Sequence, residues 1–108
     1  MTLWRQRLEK AGTDATQIRT VDPRALGSRK RLEIVAFEST EGPGVALWIA
    51  KKSRVLVSEA EQLEALKHAY EDLSGPVAVA KALIDAPLCS RAKAFLEVNG
   101  WEVSHGLV

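Results

Sequence analysis

The chain has a single cysteine, Cys89, among its 108 residues, so no disulfide can form within it. Packing alone must hold its core, and a reducing, cytoplasmic location is expected. No apolar run approaches the ~20 residues of a membrane span. The first residues, Met1-Thr-Leu-Trp-Arg-Gln-Arg, lack the apolar segment of a secretory signal, so neither insertion nor secretion is expected. No Gly-x-x-x-x-Gly-Lys occurs, and Gly42-Pro43-Gly44 reads as a turn rather than a phosphate loop. With two histidines and one cysteine, far apart in the chain, no zinc spacing exists. Cys89 has Arg91 and Lys93 nearby but no histidine close in sequence to act as its base, and His68 has no second ligand near it. No catalytic residue, cofactor or metal is expected.

What is present is an ordinary globular mixture, 46% hydrophobic and 27% charged, at a length that suits one α/β domain over residues 1–108. Net charge is +1, yet it is unevenly spread. Residues 1–54 hold 11 Lys/Arg against 6 Asp/Glu, and residues 55–108 hold 4 against 8. One end is therefore basic, which suits a polyanionic partner.

The clearest punctuation lies between Gly44 and Leu73. Val45–Lys52 is almost wholly apolar and reads as a strand covered on both faces. Val55–Val57 follows a basic turn and reads as its hairpin partner. Ser58 and Glu61 form an S-x-x-E capping box, and Leu63, Leu66, Tyr70 and Leu73 make one apolar stripe on the helix after it. Gly75-Pro76 stops that helix.

Elsewhere, Trp4, Leu8 and Ala11 mark a short first helix over Leu3–Ala11 ended by Gly12, with Trp4 as a core anchor. Residues 13–31 show few apolar pins and read as an irregular loop. Leu32–Ser39 alternates as a strand with both faces partly covered. Val77–Ala80 reads as a fourth strand, with Lys81–Ile84 continuing it or starting a turn. A last helix is capped by Asp85 or Ser90 and buries Ala92, Phe95 and Leu96. Asn99-Gly100 ends it, Trp101–Ser104 is the final strand, and residues 105–108 are a frayed tail. The predicted order is α-βββ-α-β-α-β, a mixed sheet with an antiparallel meander and helices on its faces.

That order, with Leu47-Trp48-Ile49-Ala50-Lys51-Lys52, Leu56-Val57-Ser58-Glu59-Ala60-Glu61-Gln62 and Val77-Ala-Val-Ala, resembles the restriction-endonuclease-like nucleases of the VRR-NUC type over roughly residues 32–103. In that family the buried strand ends in Asp/Glu-x-Lys and a helix starts near Leu-Ser with a Gln in its first turn. The resemblance implies metal-dependent DNA cleavage only where its acids are kept. Aligning the family lysine with Lys52 puts Ala50 at the acid position, aligning it with Lys51 puts Ile49 there, and the preceding turn lacks its aspartate. Phosphodiester hydrolysis of this kind needs converging carboxylates, and Glu33 and Glu38 do not supply the pair. The fold without the chemistry is expected.

The strongest constellation is electrostatic. In an antiparallel meander, the start of the first strand and the tip of the second hairpin lie at the same end. Arg29, Lys30, Arg31, Lys51, Lys52 and Arg54 are thus expected to converge as a phosphate-contacting, nucleic-acid-binding patch. The leading reading is a non-enzymatic DNA-binding accessory protein. The alternative is an interaction or inhibitor module that docks on a protein partner or dimerises, through a sheet edge, its three Trp, or an acidic helix face of Glu61, Glu64, Glu71 and Asp72. A residual nuclease using Glu33 or Glu38 with Lys52 is the third.

Overall fold

The computed structural model describes residues 2–22, 24 and 33–105. In chain order its elements are α1 (Thr2–Lys10), β1 (Thr16–Val21), β2 (Glu33–Ser39), β3 (Gly42–Ala50), α2 (Val57–Ser74), β4 (Val79–Asp85), α3 (Ser90–Val98) and β5 (Trp101–His105). The strands form one sheet in the order β1-β2-β3-β4-β5. β1, β2 and β3 are antiparallel neighbours, while β4 and β5 run parallel to β3.

Alternation along the strands divides the core in two. On one face Ile34, Ala36, Val45, Leu47, Ala82 and Ile84 pack against α2 and α3. On the other, Val35, Phe37, Ala46, Val79 and Leu83 pack against Trp4 and Leu8 of α1. β3 is the central strand, and its apolar run follows from being covered on both sides.

The α-βββ-α-β-α-β order and the mixed sheet agree with the sequence, but the strands that fill the meander are shifted. Residues 13–31, expected to be irregular, contain β1. Its pairing slips between Thr16 and Arg19, where Gln17 takes φ 52°. Such a bulge bends an edge strand and blunts its exposed backbone. Val55–Val57 is not a strand. Val55 makes only a parallel bridge to Leu88, donating its N–H to Pro87 O at 2.8 Å and accepting from Cys89 N–H at 3.1 Å. The free edge of β3 is taken by β4, which leaves nothing for a hairpin return to pair with.

Smaller differences share that origin. α2 begins before Ser58: Leu56 is its N-cap, and the Glu59 carboxylate accepts the Leu56 N–H at 3.4 Å. Leu73, assigned to the apolar stripe, is 69% exposed, whereas Leu63, Leu66 and Tyr70 are buried. The fourth strand starts at Val79 rather than Val77 and includes Lys81. Cys89, not Asp85 or Ser90, caps α3, because Asp85 is still paired with Ala50 in the sheet. His105, placed in the tail, pairs with Ile84; residues 106–108 lie outside the described residues.

One buried polar knot ties α2 to β5. Glu64, whose side chain is 12% exposed, accepts from Trp101 Nε1 at 2.9 Å and pairs with Lys67 at 2.8 Å and His68 at 3.1 Å. Lys67 also donates to Asn99 O at 2.9 Å. Burial pushes the Glu64 carboxyl up. The hydrogen bonds from Lys67 and Trp101, with the charges of Lys67 and His68, outweigh that and hold it below its ordinary 4.5. A lowered carboxylate contributes stability that is present above its unfolded value and is lost as pH falls through its folded value. Between about pH 6 and about pH 3, the denaturation midpoint of Glu64→Gln is therefore expected to fall less than that of the parent. Parallel losses in a urea series at several pH values would remove Glu64 from the acid limb.

Candidate nucleic-acid interface

The predicted cations can now be placed. β3 ends at Ala50, and Lys51, Lys52 and Arg54 follow in the connection to α2. Lys52 and Arg54 are exposed. Lys51 is half-buried, and its ammonium pairs with the Glu59 carboxylate on the first turn of α2. It is thus partly neutralised, a partnership that its neighbours in sequence do not reveal. Arg29, Lys30 and Arg31 lie outside the described residues, and their convergence with the tip is not part of the described geometry. The register pairs Glu33 with Trp48, so β2 begins beside the end of β3.

A cation that the sequence did not suggest lies near the tip. Cys89 is half-buried at the start of α3, and the backbone N–H groups of Ala92 and Arg91 face its sulfur and favour the thiolate. Burial opposes them, but the charges of Arg54 and Arg91 add to them, and together they hold the thiol below its ordinary value. Arg54 and Arg91 therefore both lie near Cys89, on the connections that leave β3 and β4. The signal was weak in sequence because 37 positions separate them and the two connections meet only in the fold, at the Val55–Leu88 bridge.

The carboxylates are dispersed. Glu33 and Glu38 stand at opposite ends of β2, and their odd spacing puts them on opposite faces. On the α1 side of the sheet, the β3 neighbours of Glu33 are Trp48, directly opposite, and Ala50, one step along. Among the described residues, no group of three or more His, Cys, Asp or Glu is arranged to hold a metal ion. The acidic helix face is also partly committed: Glu64 is in the knot above, and Glu71 accepts the Val77 N–H at 3.1 Å.

A polar recess of about 200 Å³ opens near the β2–β3 turn, lined by Thr13, Asp14, Ser39, Glu41, Lys81 and Glu102. Lys81 is buried there, pairs with Glu102 and donates to Ala11 O at 3.4 Å. Among the described residues, none of the predicted cations lines it. Among the described residues, no helix is long and apolar enough to cross a membrane.

No protein-family model matches the chain, and no curated protein matches it significantly. Solved structures do. The structure of EndoMS in apo form superimposes with TM-score 0.63 at 15% identity, over 96% of this chain and 44% of that one. A repair endonuclease from Pyrococcus abyssi gives 0.58 at 14% identity, over 95% and 44%. The EndoMS–dsDNA2 complex gives 0.56 at 15%, over 95% and 42%. The chain shares its fold with part of these structures. It spans less than half the length of each. At these identities the likeness concerns architecture, and it agrees with the nuclease-like fold expected from the sequence.

Proposed function

We propose that the chain binds nucleic acid through backbone phosphates without cleaving it, with Lys52 and Arg54 as the principal contacts, Arg91 beside them, and Arg29, Lys30, Arg31 and Lys51 contributing. The observation that carries the reading is the pair of exposed cations Lys52 and Arg54 at the carboxyl end of the parallel strands, with Arg54 and Arg91 of α3 both near Cys89. The shared fold supports it, because one neighbour was solved with double-stranded DNA. Chemistry supports the absence of cleavage, because the β3 side chains facing Glu33 are an indole and a methyl group rather than carboxylates.

Binding to labelled duplex DNA, measured at several salt concentrations, tests the proposal. Lys52→Ser with Arg54→Ser is expected to weaken binding and to flatten the slope of log K against log salt by roughly 0.9 per lost phosphate contact. Stability is expected to move by within about 0.5 kcal/mol, since both side chains are exposed. Unchanged binding by the double variant removes the tip from the interface. Plasmid cleavage in Mg²⁺ or Mn²⁺ that Glu33→Ala abolishes overturns the non-enzymatic part.

A further inference from the structure

The guanidinium of Arg7 lies over two indole rings. Its carbon lies 5.0 Å from the centroid of the Trp4 ring and 4.0 Å from that of Trp48. Trp4 belongs to the same helix and is buried, while Trp48 projects from β3 and is half-buried. The Arg7 side chain is only 14% exposed. Two indoles within cation–π reach hold the guanidinium in place and leave the N–H groups of its edge to bind.

That edge has one partner among the described residues. Nη1 donates to Glu33 Oε2 at 3.3 Å, which is long for a charge-assisted bond, and the Glu33 side chain is 52% exposed. The guanidinium fork matches two oxygens of one oxyanion, and a half-exposed carboxylate on a single long contact is an exchangeable occupant. Arg7 also sits close to the proposed interface, because Trp48 lies two residues before the end of β3.

We infer that the guanidinium of Arg7, held against Trp4 and Trp48, is a phosphate-binding site that the Glu33 carboxylate fills until a nucleic-acid phosphodiester displaces it. The source of the phosphate rests on the nucleic-acid reading; the oxyanion site itself rests on the Arg7 geometry. Displacement turns Glu33 into a competitor, so removing its charge favours the ligand. It also changes the surroundings of two indoles, which gives an optical signal independent of affinity.

The test compares Glu33→Gln with Glu41→Gln, the same charge change at the other end of β2. Glu33→Gln is expected to tighten oligonucleotide binding about threefold to tenfold at low salt, the scale of one removed charge contact. Glu41→Gln is expected to leave affinity within about twofold, being separated by more than a Debye length of about 10 Å. Arg7→Lys in the Glu33→Gln background is expected to cancel the gain, since an ammonium lacks the fork. Indole fluorescence is expected to change on titration with inorganic pyrophosphate as well as with the oligonucleotide. Equal effects of Glu33→Gln and Glu41→Gln overturn the inference even if DNA binds. An indole response to pyrophosphate without any DNA binding keeps the oxyanion site and overturns the nucleic-acid reading instead. Should Arg7→Lys fail to fold, the comparison of the two Gln variants still decides.

Discussion

Phe37→Ala is expected to lower the unfolding free energy by about 3–5 kcal/mol, a large share of the ~5–15 kcal/mol that holds a small domain together. Phe37 is 1% exposed on the α1 side of β2. Its ring lies over Gly44, its cross-strand partner on β3, and a Cβ added at Gly44 would sit 2.5 Å from Phe37 Cζ. Gly44→Ala must therefore move either the ring or the strand, at about 1–3 kcal/mol. Placed in the Phe37→Ala background, the same methyl enters the cavity left by the ring, and its cost is expected to vanish or change sign. A denaturant-based double-mutant cycle measures this coupling, and simple additivity would mean that the ring does not press on Gly44.

Trp101→Ala is the second large effect, again about 3–5 kcal/mol. The indole is 3% exposed, packs in the core beneath α2 and α3, and donates to Glu64. Trp101→Phe separates the two contributions. It keeps most of the apolar area and removes the N–H, leaving Glu64 with its Lys67 and His68 partners, so a smaller loss of about 1–3 kcal/mol is expected. Equal losses for the two variants would place the whole effect in the hydrogen bond, and a silent Trp101→Phe would place it in packing.

The parts of the fold that were legible in the sequence are those whose burial repeats at a regular period. β2 and β3 declared themselves through apolar residues on both faces, and α2 through Leu63, Leu66 and Tyr70. β1 was hidden because its two apolar residues, Ile18 and Val21, serve opposite faces and the rest of the strand faces solvent at an edge with a bulge. Val55–Val57 has the composition of a strand, and only the parallel docking of β4 onto β3 denies it a partner. At the candidate interface, exposure of Lys52 and Arg54 followed from their place in a turn. The Lys51–Glu59 pair, the placement of Arg54 and Arg91 near Cys89 and the stacking of Arg7 on Trp48 did not, since each depends on how separate elements are brought side by side. Trp48 belongs to the strand read as covered on both faces, and its half-buried indole instead lies 4.0 Å from the Arg7 guanidinium carbon.

The parallel register of β3, β4 and β5 has a further electrical consequence. Each crossover helix starts at the carboxyl end of the strand before it, so α2 and α3 both point their amino ends toward the Lys52–Arg54 tip. The aligned peptide dipoles of a helix act as roughly half a positive elementary charge at that end, within its first turn. Glu59 offsets this on α2, whereas the first turn of α3 carries no acid. The positive potential at this end of the sheet is thus partly written in the backbone, and it persists when the side-chain cations are removed.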